Sequence, residues 1–257
     1  MAQTTNPAGI RNPMQILAAL VRGDGGADPS RHRNVQGGAS RAAVLGAGDG
    51  LITNVSLILG VAGASTAAAP VRLAGVAGLL AGAFSMAAGE LVSVRAQDEM
   101  VQREIAVERE ELATEPEEER RELAAMYRSR GVPVADAETV AEILSRNEKL
   151  ALDTHARLEL GIDPDAGGSA WQASVASFAS FAVGAFLPLI PWLFFGGVKA
   201  VVTSVIAGAL AALVLGAAIG ALTGHGKTRT AFRQLAAAAV AAGITFGVGS
   251  LLGVSTS

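Results

Sequence analysis

The chain has 257 residues, of which 51% are hydrophobic and only 17% are charged, whereas a soluble domain usually carries about 25% charge. It contains no cysteine, which excludes disulfides, cysteine-based zinc sites and thiolate catalysis. Because there are only three histidines, a metal site would rely mainly on carboxylate, carbonyl or methionine ligands. The net charge of −3 hides a strong segregation of charge along the chain.

Five apolar runs follow a polar N-terminal segment. Residues 1–40 hold Gly, Pro, Arg and Asn without a sustained apolar period, which predicts a disordered, basic tail. Runs of about 20 to 25 residues, at about 1.5 Å per residue, match a hydrocarbon core of about 30 Å. A soluble helical core would need a polar face on every helix, and these runs show almost none. We therefore predict membrane spans at residues 42–64, 71–94, 171–195, 198–222 and 235–254.

A charged segment separates the second apolar run from the third. Residues 95–168 contain 19 of the 23 acidic residues and 10 of the 20 basic ones. Helix formers dominate up to residue 130, Gly131 and Pro133 interrupt them, and residues 135–160 are predicted to form a further helix. The predicted fold class is an all-α integral membrane protein with five spans. Its domains are a tail, spans one and two, an acidic helical domain, and spans three to five, at residues 1–40, 41–94, 95–168 and 169–257.

The distribution of Lys and Arg predicts the orientation in the membrane. Short loops rich in these residues stay in the cytoplasm. The rule places the N-terminus, the acidic domain and the 223–234 loop in the cytoplasm and the C-terminus outside. No organelle-targeting signal is evident, and the Ala-, Gly- and Arg-rich composition favours a bacterial plasma membrane. The basic residues that decide this are Arg11, Arg22, Arg31, Arg33, Arg41, Lys227, Arg229 and Arg233.

Asp49 and Glu90 are the only carboxylates within the apolar runs. A carboxylate at bilayer depth is costly unless it faces a partner or a wet cavity, so its default interpretation is functional. The glycines flanking Asp49 can distort a helix and free carbonyl oxygens for a ligand. Met86 offers a thioether, a soft ligand that favours transition metals, although a lone Met in a span is more often packing. The alternatives are that Asp49 caps a helix break and that Glu90 marks the membrane interface.

The acidic domain carries its carboxylates in a pattern. Four of them recur at i, i+4, i+7 and i+11 and share one helical face. A second i, i+3 pair follows Pro116. Like charges at this spacing destabilise a helix, and a divalent cation would reverse that effect. A solvated acidic face, relieved by neighbouring arginines, explains the pattern equally well. The carboxylates are Glu104, Glu108, Glu111 and Glu115, then Glu119 and Glu122.

Two seams of small residues occur within the apolar runs. They are Gly75-Gly78-Gly82 and Gly216-Gly220-Gly224. In lipid, small residues allow the backbones of neighbouring helices to approach closely. The pattern does not distinguish packing within one protomer from packing between protomers.

Three stretches resemble the vacuolar iron transporter family: residues 48–54 (GDGLITN), 81–90 (AGAFSMAAGE) and 157–161 (RLELG). The resemblance covers about residues 40–256. It implies a homodimer that moves Fe²⁺, and often Mn²⁺, out of the cytoplasm in exchange for protons, without a prosthetic group. It also implies that Asp49 and Met86 line the path. A cytoplasmic domain would collect ions through Glu108 and Glu111, Glu119 and Glu122, and Glu159.

The sequence departs from the family pattern at two places. Gly78 stands where a span-two Glu is expected, so Glu90 is a candidate replacement on the other side of Met86. His155-Ala156 stands where a Met pair is expected. His155 would be either a borderline metal ligand, compatible with Zn²⁺ or Co²⁺ as well, or a solvated surface histidine.

Two other function classes compete with a proton-coupled metal exporter. A membrane-anchored ferroxidase would use Glu-x-x-His pairs, and none occurs in the acidic domain, so we predict a transporter and not an enzyme. A metal-independent membrane assembly protein with an acidic coat is the third interpretation. Nucleic-acid binding is not expected, because the part of the chain outside the spans is acidic.

Overall fold

A computed structural model describes residues 38–164 and 169–255, all of its regular structure being helical. Residues 1–37 of the predicted N-terminal tail, with their arginines, therefore lie outside the described residues, whereas residues 38–40, predicted to belong to that disordered tail, are helical. Eight helices occur in the described ranges: α1 Gly38–Ala64, α2 Ala68–Thr114, α3 Pro116–Ser129, α4 Val134–Ser145, α5 Glu148–Leu158, α6 Ala170–Phe194, α7 Gly197–Thr223 and α8 Lys227–Ser255.

Five of these helices, α1, α2, α6, α7 and α8, are long and apolar enough to cross a membrane. The five predicted spans are thereby confirmed as helices. α2 has 47 residues, about 70 Å at about 1.5 Å per residue, which is more than twice a hydrocarbon core of about 30 Å. Only its apolar part, residues 71–94, is long enough and uncharged enough to be the span. The charged part begins at Arg95.

The last helix begins earlier than the sequence predicts. Residues 223–234 are predicted to be a loop, but α8 begins at Lys227, so Lys227, Arg229 and Arg233 lie in its first turns. The connection to α7 is short because Gly224 adopts a left-handed conformation with φ 71°, which ends α7 abruptly. A hydrophobicity pattern detects the apolar part of a helix and misses a basic first turn.

The described residues form two compact units, residues 97–164 and residues 38–96 with 169–255. In the second unit, α1 packs against α6, α8 and α7. Glycines bring these backbones together, because a methyl group on Gly184 would overlap the carbonyl oxygen of Ala47, and one on Gly249 would overlap that of Gly60. The close packing therefore depends on the absence of side chains at these positions.

Both predicted glycine seams pack within the protomer, apart from one member. Gly216 and Gly220 lie against α8, whereas Gly224 ends α7 and has no neighbour within 4 Å of the position a Cβ would take. Gly75, Gly78 and Gly82 lie against side chains of α1 and α6. The sequence left this choice open, and the structure assigns the seams to contacts inside one chain.

Side chains from other spans hydrogen-bond to carbonyl oxygens around the two prolines of α6, Pro188 and Pro191. The amide Nδ2 of Asn54 donates to the carbonyl of Ala185 at 2.6 Å. The hydroxyl of Ser204 donates to the carbonyl of Pro188 at 2.6 Å. Neighbouring helices satisfy backbone groups near prolines in this way when no water is at hand.

The other unit contains two helix boundaries that the sequence analysis missed. The predicted helix 135–160 is two helices, because Asn147 caps α5 by accepting a hydrogen bond from the backbone N–H of Leu150 at 3.1 Å. The helix formers between 97 and 130 are divided at Glu115, since Pro116 occupies the first turn of α3. The predicted break at Gly131 and Pro133 is confirmed, with Gly131 at φ 90°.

Gly249→Ala should destabilise the protein, whereas Gly247→Ala on the same helix should not. The added methyl at 249 collides with the backbone of Gly60, and overpacking of this kind costs about 1–3 kcal/mol. Position 247 has open space around it, so the substitution there is neutral or slightly favourable. Thermal unfolding in detergent measures the difference. Equal melting temperatures for the two variants would contradict the close approach of α1 and α8.

Candidate metal centre

A small apolar core holds α3, α4 and α5 together. Leu123 and Ala124 of α3 pack against Ala141 and Leu144 of α4, and Leu150 and Leu158 of α5 lie against them. Burial of these side chains is the main stabilising contribution available to helices of this length. Because this core sets the orientation of α3 and α5, it also determines which of their residues lie on the faces directed away from it.

One group of metal-ligating side chains lies beside this core, formed by Glu108, Glu119, His155 and Glu159. Each offers one ligand atom, and these four atoms lie within 4.8 Å of one another. Glu108 comes from α2 and Glu119 from α3. His155 lies on α5, and Glu159 is the residue directly after that helix. Three separate chain segments therefore contribute to one point.

The imidazole of His155 is at the centre of this group. Its Nδ1 lies 3.0 Å from Oε1 of Glu108, 3.5 Å from Oε2 of Glu119 and 3.4 Å from Oε2 of Glu159. His155 is 0% exposed and Glu108 is 2% exposed, and Glu119 is also buried. Glu159 is the one member whose side chain reaches the surface. The alternative of a solvated surface histidine at position 155 is therefore wrong.

The end of α5 is held so that Glu159 faces the group. The backbone N–H of Ile162 donates to the carbonyl of Ala156 at 2.8 Å, and Gly161 adopts φ 65°, so the chain turns sharply after the helix. The guanidinium of Arg130 donates to the carbonyl of Leu158 at 3.0 Å. Together these contacts hold Glu159 in place directly after Leu158.

The electrostatic environment favours protonated carboxyls. The pKa of Glu108 is raised to about 7, first by burial and then by the negative charge of Glu159, Glu119, Glu111 and Glu122. The pKa of Glu119 is also raised to about 7, first by burial and then by neighbouring carboxylates. Removing a carboxylate from water and surrounding it with like charge disfavours its ionised form. A divalent cation at this point would reverse both effects.

Arginines do not relieve this repulsion at the buried end. Arg120 pairs with Glu117 at 2.8 Å, and Arg121 pairs with Glu118 at 3.2 Å. All four side chains are at least 31% exposed, and exposed pairs of this kind contribute at most about 1 kcal/mol. The acidic domain thus has a solvated charged face, as one interpretation predicts, and a separate buried group of ligands.

The remaining predicted ligands lie outside the buried group. Glu111 and Glu122 are exposed, and they contribute to the raised pKa of Glu108. Glu115 is exposed at the break between α2 and α3 and acts on the pKa of Glu119. Glu104 is exposed one turn before Glu108. The i, i+3 spacing therefore groups residues by helical face, but the contact between helices selects which of them is buried.

Residues 38–96 and 169–255, which contain the five apolar helices, are called the membrane unit below. In this unit, Asp49 faces outward from the single chain. Asp49 and Thr53 are exposed on α1, and Leu45 and Leu57 lie one turn before and after them and are also exposed. Met86 is half-buried and packs against the cluster of Phe181 and Ala185. Glu90 follows Met86 by one turn and is half-buried. No group of three or more potential His, Asp or Glu ligands surrounds Asp49 among the residues that the structure describes.

Gly78 is not a vacant place for a carboxylate. A Cβ at this position would meet the side chains of Leu57 and Asn54, the latter at 2.9 Å from Oδ1. Asn54 is fully buried, and its Oδ1 has no hydrogen-bond partner within the described residues. Asn54 lies in the quoted 48–54 stretch but was not among the predicted site residues. A polar side chain within an apolar run was the signal that could have identified it.

Comparison with known proteins identifies the family. The family model described as "VIT family" matches residues 40–250. The chain belongs to the VIT family. It is 34% identical to a protein named "Vacuolar iron transporter" from Acanthamoeba castellanii, over 98% of this chain and 95% of that protein. It is also 30% identical to "Vacuolar iron transporter 1" from Arabidopsis thaliana, over 80% and 83% of the two chains.

VIT family membership and the five apolar helices make the chain an integral membrane transporter and not an enzyme. A ferroxidase function is therefore not favoured. A third relative, "Vacuolar iron transporter" from Centaurea cyanus, is 31% identical over 84% of this chain and 89% of its own length. The resemblance of the quoted stretches to this family is thereby confirmed.

The affinity of the protein for a divalent cation should fall as the pH falls from 8 to 6. Glu108 and Glu119 each have a pKa of about 7, so protons compete with the cation for the same oxygens at pH 6 and hardly at pH 8. Two independent sites of this kind would lower the affinity by up to about 100-fold. Calorimetry of the full chain in detergent with Mn²⁺ at pH 8, 7 and 6 measures this change.

The matched control is Glu117→Gln, because Glu117 is exposed and paired with Arg120, which lowers its pKa. This variant should show the same pH dependence as the wild type. An affinity that stays constant between pH 8 and 6 would rule out the buried carboxylates as the binding groups.

Proposed function

We propose that this chain exports Fe²⁺, and also Mn²⁺, from the cytoplasm in exchange for protons. The observation that carries the proposal is the buried group of Glu108, Glu119, His155 and Glu159 in a member of a family whose relatives are named iron transporters. The ions are cargo, and no prosthetic group takes part. Zn²⁺ and Co²⁺ are further candidate ions, since borderline cations accept the same ligand types.

The acidic domain acts as the capture site in this proposal. The buried group binds the cation, and the neighbouring exposed carboxylates attract it. A surface with one sign of charge raises the local concentration of the opposite ion and speeds its association. The residues proposed to bind or attract metal are Glu108, Glu111, Glu119, Glu122, Glu159 and His155, with Glu104 and Glu115 at the rim.

The path across the membrane runs along Asp49 and Met86, with Glu90 at its cytoplasmic end. A carboxylate supplies charge at bilayer depth, and a thioether adds preference for transition metals. Because a carboxylate that loses its cation gains affinity for a proton, release of the ion on the far side couples naturally to proton uptake. Exchange of the two then returns the path to its starting state.

A second copy of the chain covers the exposed stripe of α1 in this proposal. A charged side chain facing lipid is strongly unfavourable, and Asp49 lies outward between Leu45 and Thr53. A two-fold dimer would bury the same patch of both protomers, so the two Asp49 side chains would face one shared path.

The proposed topology follows the positive-inside rule. The N-terminus, the acidic domain at 95–168 and the connection before α8 lie in the cytoplasm, and the C-terminus lies outside. The structure has Lys227, Arg229 and Arg233 in the first turns of α8 and not in a loop. The positive-inside rule still applies to them, because it counts charges close to the end of a span together with those of the adjoining loop. We propose a bacterial plasma membrane as the location.

Proteoliposomes should take up Fe²⁺ when the acidic domain faces outward. Asp49→Asn should reduce this uptake at least about tenfold, because the variant removes the only charge in α1 at bilayer depth.

Glu119→Gln should raise the metal concentration needed for half-maximal uptake more than it lowers the maximal rate, since it impairs capture alone. A metal-sensitive dye inside the vesicles measures both. Normal uptake by Asp49→Asn would remove the proposed path, and Glu117→Gln serves as the unaffected control.

Thr53→Cys should form a covalent dimer in membranes with a short bis-maleimide, whereas Leu210→Cys should not. The chain has no native cysteine, so each variant carries one thiol. Thr53 lies on the proposed dimer stripe of α1, and Leu210, which is 58% exposed on α7, faces lipid in this arrangement. Gel electrophoresis after cross-linking separates the two forms. Preferential cross-linking of Leu210→Cys would place the dimer interface elsewhere.

A further inference from the structure

The side chain of His155 has an environment that a structural role does not explain. It is 0% exposed, and three carboxylate oxygens lie 3.0 to 3.5 Å from its Nδ1. A neutral imidazole nitrogen can donate only one hydrogen bond. Only the contact with Oε2 of Glu159 has the geometry of such a bond. Because Nδ1 carries either one N–H or one lone pair, it can form one hydrogen bond in total, so two of the three carboxyl groups lie beside it without a hydrogen bond to it.

Two further buried atoms of this group lack a hydrogen-bond partner among the described residues. Oε1 of Glu108 lies closest to Nδ1, yet it has no hydrogen-bond partner among the described residues. The opposite nitrogen of His155, Nε2, is buried and likewise accepts or donates no hydrogen bond there. Buried polar atoms are normally satisfied. The orientation of the ring is thus set by the contacts of Nδ1, beside which the three carboxyl groups lie.

The spacing of these atoms matches the coordination shell of a small divalent cation. Metal–ligand distances of about 2.0–2.2 Å imply neighbouring ligand atoms about 3.0 Å apart in an octahedron and about 3.4 Å apart in a tetrahedron. The separations from Nδ1 to the three oxygens are 3.0, 3.4 and 3.5 Å. The nitrogen therefore already lies at the separation from each of the three oxygens that a shared cation requires.

We propose that His155 binds the transported cation directly through Nδ1 and makes the capture site selective for borderline divalent ions over Mg²⁺ and Ca²⁺. This inference rests on the proposed function, since it assigns a nitrogen ligand to the same site. Mg²⁺ and Ca²⁺ prefer shells made of oxygen alone, whereas imidazole suits first-row transition metals. A nitrogen ligand beside three carboxylates therefore favours borderline ions over Mg²⁺ and Ca²⁺. Carboxylates alone provide this preference only weakly.

Pulsed EPR on the full chain in detergent with one equivalent of Mn²⁺ tests the assignment. Directly bound imidazole gives a ¹⁴N coupling, which should change to a ¹⁵N coupling when the protein is made with ¹⁵N-histidine. The double variant His32→Gln/His225→Gln leaves His155 as the only histidine, and it should keep the full coupling. His225 is exposed, so its substitution leaves the buried site intact.

The outcomes separate the inference from the proposed function. Bound Mn²⁺ without histidine coupling, or coupling lost in the double variant, overturns the role of His155 and leaves metal capture intact. Mn²⁺ that fails to bind, or that binds equally well to Glu108→Gln/Glu119→Gln, overturns the capture site itself.

A competition measurement gives the selectivity. The excess of Mg²⁺ needed to displace Co²⁺ should fall at least about tenfold in His155→Gln, which corresponds to about 1.4 kcal/mol. His155→Leu, which places an apolar side chain of similar size and without a ligand atom in the buried position, should abolish the ¹⁴N coupling while the protein still folds. An unchanged Mg²⁺ excess in the folded variants would contradict a nitrogen ligand.

Discussion

Three carboxylates gathered around one buried point require positive charge to join them there. Transfer of carboxylates from water is strongly unfavourable, and their mutual repulsion in a medium of low polarity adds to that effect. The acidic domain offers these groups a single imidazole, since Arg120 and Arg121 pair with exposed carboxylates. Without a cation the site therefore favours protonated carboxyls, and burial and like charge raise the pKa of Glu108 and Glu119 to about 7. Protons and a divalent cation would both supply that positive charge, so they would compete for the same oxygens.

The membrane unit satisfies a different constraint. Lipid offers no hydrophobic drive for helices to associate, so they must approach closely enough for dispersion forces and hydrogen bonds to hold them. Gly184 and Gly249 provide that approach on two sides of α1, and Asn54 adds a hydrogen bond to α6. With α1 so enclosed by α6, α7 and α8, its remaining stripe is the part that carries Asp49. The same packing that stabilises the bundle thus determines that Asp49 lies outward from α1.

The sequence predicted most of the fold and part of the site, and the differences have physical causes. Long apolar runs depend on composition alone, so all five spans were found. The division of the predicted helix 135–160 was missed because it depends on one side chain, Asn147, capping α5. Glu108, Glu119, Glu159 and His155 were all among the predicted ligands, but spacing along a helix could not separate buried Glu108 from exposed Glu104 and Glu111. That separation arises from packing between α2, α3 and α5, which a single-helix pattern does not contain.

The shortness of α5 has a consequence for its own folding. The helix has 11 residues, and isolated helices of that length are barely stable in water. Its N-terminal half is fixed by the Asn147 cap and the apolar contacts of Leu150, and its last turn carries His155, with Glu159 directly after the helix; both are proposed ligands. Local opening of such a turn has its own free energy, distinct from that of global unfolding. A cation that bridges this turn to the other helices adds its binding free energy to that local value, so slow amide hydrogen exchange at the end of α5 reports occupancy directly.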